Sequence, residues 1–188
     1  MKYYRKLIGD KCYLSPINMD DAPKYTEWLN DMEIIQYLDI ANQQLNLEKE
    51  RIILEEMIKK GNQIFAIVLL ETDELIGNCS LFDIDQRNRS AELGIFIGEK
   101  KYWNRGYGTE AIRLLLDYGF NILNMNNILL EVYSYNEKGL HTYEKAGFKI
   151  IGRRREAKYM AGKYWDIIFM DITAAEFASI YIKKVFAG

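Results

Sequence analysis

Ile64 to Leu70 is continuously apolar and reads as a central strand, since a strand covered on both faces has no polar positions to alternate with. Thr72-Asp73-Glu74 turns the chain and Leu75 to Phe82 returns, giving an antiparallel hairpin. Asp85 to Asn88 make a second turn, and Ala91 to Ile97 form a further strand. Upstream, Lys11 to Pro16 alternates loosely as a short first strand. Asp20 or Asp21 caps a helix through Leu29, because a carboxylate there accepts from free backbone N–H groups. Asn46 caps a second helix, Leu47 to Lys60, with Ile52, Ile53, Leu54, Met57 and Ile58 on one broad face and Gly61-Asn62 ending it.

Downstream the period changes to 3.6. Gly106 to Leu123 carries a stripe of Ala111, Ile112, Leu115, Leu116, Gly119, Phe120 and Leu123. Ile128 to Val132 is a buried strand, and Glu137 to Ala146 is a helix stopped by Gly147. Phe148 to Gly152 and Tyr164 to Asp171 are two last strands around a basic, glycine-containing loop, and Ala174 to Lys184 is a short closing helix. This order predicts an α/β fold with one mixed sheet: antiparallel strands first, then a strand–helix–strand crossover, a helix and a strand pair. Residues 1–188 are expected to form one domain, with 173–188 a short extension that packs on the sheet or supports a homodimer.

The composition is 49% apolar and 28% charged, that of a globular protein with a real core. A net charge of −2 with interspersed signs argues against a nucleic-acid partner bound through a basic face. No apolar run approaches bilayer length, and the Met1-Lys2-Tyr3-Tyr4-Arg5 start lacks a secretory signal's apolar run, so no membrane partner and a cytoplasmic location are expected. Cys12 and Cys79 match no metal-ligand spacing and read as reduced packing residues; no metal is expected.

The strongest chemical signal is Trp103-Asn104-Arg105-Gly106-Tyr107-Gly108-Thr109-Glu110-Ala111, between a strand and a long helix. Gly106 and Gly108 let the backbone turn tightly and approach a ligand. The first N–H groups of the helix have no internal partner, and the helix dipole adds partial positive charge, so this end suits an anion. Arg105 can add a charge-assisted hydrogen bond to a phosphate oxygen. A dinucleotide loop would require Gly-x-Gly-x-x-Gly, and Ala111 stands at the third position; a P-loop would require Gly-Lys-Ser/Thr, which is absent.

Arg105-Gly106-Tyr107-Gly108-Thr109 resembles the acyl-CoA pyrophosphate loop of the GNAT acetyltransferase superfamily, Gln/Arg-x-x-Gly-x-Gly/Ala. Glu110 departs from the last position, a departure typical of the branch resembling ribosomal-protein alanine N-acetyltransferases and spermidine acetyltransferases. Asn136 to Phe148 resembles the superfamily's Asn-x-x-(small)-x-x-x-Tyr-x-Lys-x-Gly-Phe segment, with Gly139 at the small position. Ala91 to Gly98 resembles the strand that precedes the loop and splays from its parallel neighbour.

The resemblance implies a GNAT-like fold with splayed central parallel strands, acetyl-CoA as co-substrate and a primary amine as acceptor. It assigns acetyl-CoA to Phe96 and Ile97 on the strand, to Asn104, Arg105, Gly106, Tyr107, Gly108 and Thr109 in the loop, and to Asn136 and Lys138 beyond it. It makes Tyr143 the acid at the sulfur, and a phenol with an ordinary pKa of about 10 holds its proton at neutral pH. Seven residues separate Asn136 from Tyr143, two helical turns on one face. Glu92 is the candidate base that takes a proton from an ammonium through water; the alternative is a sheet-surface carboxylate paired with Arg87 or Arg89. On the acceptor side Trp28, Asp31, Glu33 and Tyr37, with Tyr25 and Asp39, offer charge and aromatic faces to a cation, or form a solvated helix face. Two functions follow: a transferase acting on a protein N-terminus, polyamine, aminoglycoside or other small amine, and a CoA-binding or sensor module without activity. A proton donor at Tyr143 favours the first.

Overall fold

The computed structural model describes residues 2–186. Its strands are β1 (Leu7–Ile8), β2 (Cys12–Pro16), β3 (Gln63–Leu69), β4 (Leu75–Asp85), β5 (Ser90–Ile97), β6 (Asn127–Tyr133), β7 (Lys149–Met160) and β8 (Lys163–Thr173). Its helices are α1 (Ala22–Trp28), α2 (Met32–Ile35), α3 (Leu47–Lys59), α4 (Tyr107–Asn121), α5 (Glu137–Ala146) and α6 (Ile182–Phe186). The strands form one eight-stranded sheet in the order β1-β2-β3-β4-β5-β6-β8-β7. Every neighbouring pair is antiparallel except β5 and β6, which α4 joins by a crossover.

The side-chain alternation of β2 and β3 builds two cores. Cys12, Leu14, Phe65, Ile67 and Leu69 face α4, whose Ile112, Leu115 and Leu116 are fully buried. Tyr13, Ala66 and Val68 face α1 and α3. β3 is therefore covered on both sides, as its unbroken apolar run predicts.

Several local expectations are corrected. The first helical turn is capped by Asn18, which accepts from the Asp20 N–H at 2.9 Å. Asp21 is instead drawn into the core, where it accepts from the Tyr3 hydroxyl at 3.0 Å and pairs with Lys2. Asn46 does cap α3, but Leu54 is its buried apolar residue; Ile52 and Ile58 face solvent because α3 meets α1 along the Glu50–Leu54 line. The basic loop after Gly152 is strand: β7 and β8 run on to a two-residue turn at Ala161 and Gly162, both at positive φ. β7 is a sheet edge, where exposed charged side chains are tolerated. The closing helix covers Ile182–Phe186 and not Ala174–Lys184. Glu176 folds 173–176 into a turn by accepting from the Thr173 N–H, and buried Asp117 of α4 accepts from the Tyr181 and Ile182 N–H groups and the Ser179 hydroxyl. The short strand β1 and the helix α2, capped by Asp31, were not predicted.

Candidate active site

β5 and β6 pair only at Ser90, Ala91 and Glu92 with Asn127, Ile128 and Leu129. Beyond Glu92, β5 stays with β4 as far as Ile97 while β6 follows β8 to Tyr133, so the two parallel strands part. The gap opens into a cleft. The end of β5, the loop before α4, the start of α5 and α2 supply its walls.

The loop is shaped by left-handed backbone at Asn104 (φ 59°) and Gly106 (φ 85°). Gly106 is the N-cap of α4 and offers no side-chain acceptor; the first helical bond runs from the Glu110 N–H to the Gly106 carbonyl. The N–H groups of Tyr107, Gly108 and Thr109 are thus left to a ligand, with the positive end of the helix dipole behind them. A Cβ at Gly108 would meet only Thr142 at 3.8 Å and Ile97 at 3.9 Å, ordinary contacts. The fold alone does not require glycine there, so the open space is space for a ligand.

Gly106, Tyr107, Gly108, Thr109 and Asn104 line the cleft together with Phe96, Ile97, Asn136, Lys138, Tyr143 and Tyr37. The Ile97 carbonyl accepts from the Trp103 indole at 2.7 Å, which fastens the strand end to the loop. Lys138 stands 6.0 Å above the Trp103 ring. Asn136 caps α5 by accepting from the Gly139 N–H at 2.9 Å, which leaves its amide NH₂ as a donor. A Cβ on Gly139 would lie 2.5 Å from the Asn136 Nδ2, so the glycine lets this side chain fold over the helix start.

Tyr143 packs edge-on against Phe148 with centroids 6.2 Å apart. Burial pushes its phenol up to about 12. The hydroxyl is therefore protonated throughout the neutral range and available to donate.

The remaining residues lie apart from this cluster. Arg105 is exposed, and its carbonyl accepts from the Lys11 Nζ at 3.0 Å. Glu92 is the last β5 residue paired with β6. Burial raises its pKa, and nearby Glu131 and Asp83 raise it further. It stands four residues before Phe96, roughly 13 Å along a strand, so a proton passing from the cleft to Glu92 needs a water path. Trp28 is buried edge-on against Phe96 at 6.1 Å and forces glycine at 98, where a Cβ would lie 2.1 Å from its ring. Asp31 caps α2 and pairs with Lys100 at 2.7 Å; Glu33 pairs with the same lysine.

The sequence reading missed Lys11, whose ammonium reaches the glycine-containing loop before α4 and lies 5.8 Å from the Tyr107 ring. It also left out Tyr135, whose hydroxyl donates to the Gln36 carbonyl and whose ring stands 6.2 Å from that of Tyr37. Lys11 carries no local signal, because only the sheet brings it to Arg105. Tyr135 precedes Asn136 directly and was within reach of the motif.

A profile of the acetyltransferase (GNAT) domain matches residues 11–149, and the chain belongs to this family. It is an acetyl-CoA-dependent N-acetyltransferase that acylates an amine. It is 36% identical over 160 residues to the spermidine N(1)-acetyltransferase of Escherichia coli, covering 85% of this chain and 84% of that protein. It is 28% identical over 175 residues to the N-acetyltransferase p20 of Bacillus licheniformis, 92% of this chain and 98% of its relative. Among solved structures, spermidine N-acetyltransferase from Vibrio cholerae in complex with CoA and spermine superimposes with a TM-score of 0.80 at 26% identity, over 88% of this chain and 97% of that one. A GNAT acetyltransferase from Bacillus anthracis shares the fold, with a TM-score of 0.78 at 20% identity.

Proposed function

We propose that this enzyme acetylates a small primary amine of the polyamine class in the cytoplasm, by direct attack within a complex holding both substrates. The observation that carries the proposal is the alignment of parts along one cleft. The uncapped start of α4, Tyr143 and Tyr37 beyond α2 all line this one cleft. The relatives named for spermidine acetylation supply the acceptor class.

In this reading the N–H groups of Tyr107 to Thr109 hold the pyrophosphate, with Arg105 and Lys11 adding positive charge. The pantetheine arm pairs with β5 at Phe96 and Ile97 as an added strand and meets the Asn136 amide. An ammonium acceptor with an ordinary pKa near 10.4 gives up a proton through water to Glu92, whose raised pKa makes it a better base than a solvated carboxylate. The amine nitrogen then bonds to the thioester carbon. As the C–S bond breaks, Tyr143 donates its proton to the leaving sulfur, and the second proton that the nitrogen sheds as the amide forms restores the phenol through water.

The test is free-thiol release from acetyl-CoA with spermidine, aminoglycosides, amino acids and short peptides, alongside CoA calorimetry. Release with spermidine above the other acceptors is expected. Release confined to peptides or aminoglycosides would refute the acceptor class.

A further inference from the structure

The acidic residues expected to attract a cation are each already paired with a lysine of the chain. Asp31 and Glu33 hold Lys100 at an exposed site. Asp39, in the connection between α2 and α3, holds Lys158 of β7, with Nζ 2.8 Å from Oδ1.

The second pair is built differently from the first. The Lys158 ammonium also lies 4.6 Å from the centroid of the Tyr133 ring, and the Tyr133 hydroxyl donates to the same Asp39 oxygen at 3.2 Å. Lys158 is drawn in to 15% exposure, while the Asp39 side chain is 89% exposed and open to an incoming group. Tyr133 stacks on Tyr135 at 5.5 Å, and Tyr135 stands 6.2 Å from Tyr37, which lines the cleft. An aromatic wall thus runs from the acceptor end of the cleft to Lys158. A carboxylate beside an aromatic face is the arrangement that recognises an ammonium.

We propose that Asp39 and Tyr133 form an ammonium subsite at the far end of the aromatic wall, that the chain's own Lys158 fills it, and that the second ammonium of a polyamine acceptor must displace Lys158 to bind there, which raises the KM of that acceptor. The inference rests on the amine-acceptor reading above and deepens it. An acceptor whose reacting nitrogen reaches the thioester lays the rest of its length along the aromatic wall. A second ammonium there either meets Lys158 as a like charge or must take its place on Asp39. A monoamine has no charge to place at that point. Lys158 is a specificity residue in this scheme and takes no part in the chemistry.

The experiment compares wild type with Lys158→Met, and measures KM for spermidine and for a monoamine of the same chain length at saturating acetyl-CoA. The ratio of the monoamine KM to the spermidine KM is expected to rise about fivefold or more in Lys158→Met, since a desolvated cation contact of this kind is worth at least about that factor. The gain should vanish when Asp39→Asn is added. A lysine that merely clips the α2–α3 connection would move both KM values together, and an unchanged ratio overturns the proposal. Calorimetry of spermidine on the CoA-bound proteins reads the subsite without turnover. Tighter binding to Lys158→Met than to wild type supports the subsite, and equal or weaker binding overturns it. Absence of thiol release with every amine would instead overturn the functional reading alone.

Discussion

Glu110 sits in the first turn of α4, next to the loop proposed to hold the pyrophosphate, yet its carboxylate is turned to the β1–β2 backbone. It accepts from the backbone N–H of Lys11 at 2.7 Å and of Cys12 at 3.2 Å. A Cβ on Gly9 would stand 2.2 Å from its Oε1, so the β1–β2 turn is shaped around it. Glu110→Ala would leave two N–H groups without a partner, each costing about 1–3 kcal/mol when buried. Partial entry of water puts the expected loss at about 3 kcal/mol. For a chain of 188 residues, each kcal/mol moves Tm by about 2–4 °C, so a fall of about 6–12 °C is expected. Glu110→Gln keeps a carbonyl acceptor and should lose only about 1 kcal/mol. Thermal unfolding followed by circular dichroism measures both. CoA calorimetry should show weaker binding in the Ala variant, because the helix start proposed to hold the pyrophosphate loses its anchor. A Tm for Glu110→Ala within about 2 °C of wild type would refute the reasoning.

Tyr143→Phe removes the proton donor proposed for the sulfur and should lower kcat by about 10²–10⁴ while CoA affinity moves far less; undiminished turnover would take Tyr143 out of the mechanism. Burial raises Glu50 from 4.5 to about 7, so the folded protein holds this proton more tightly than the unfolded chain does. Its contribution to stability is whole below about pH 4.5 and lost as pH rises through about 7, at most about 3 kcal/mol. Glu50→Gln should therefore flatten the fall in stability between those pH values, and an unaltered slope in urea unfolding would contradict this. Asp117→Ala frees the tail that docks through Ser179, Tyr181 and Ile182, and should speed chymotryptic cleavage at Phe177 or Tyr181 by about tenfold or more. An unchanged cleavage rate would mean the tail is held by something else.

The elements legible in the sequence are those whose cause is local. The unbroken apolar run of β3, the stripe of α4, the Asn46 cap and the left-handed stop at Gly147 all depend on residues within about four positions of one another, the reach of a helical turn or a strand's alternation. The same reach made the tight turn before α4 legible, because glycine at 106 takes the left-handed backbone the helix start needs. What failed depended on distant partners. Asp21 turns inward because Tyr3 and Lys2 await it. Ile52 and Ile58 stay exposed because α1 chooses which face of α3 is covered. The tail follows Asp117 and not its own helical pattern.

The charges show the division most sharply. Read along the chain, Asp31, Glu33 and Asp39 are free acids that suit a cation. The fold brings Lys100 to the first two across 69 and 67 positions and Lys158 to the third across 119. It likewise brings Lys11 to the Arg105 carbonyl across 94. Periodicity and capping are properties of neighbours along the chain, whereas the potential at a point is a sum over whatever charges lie near it in space. The sequence by itself determined the family and its locally built elements, and only the tertiary structure decided which charges lie free along the cleft and which are paired within the chain.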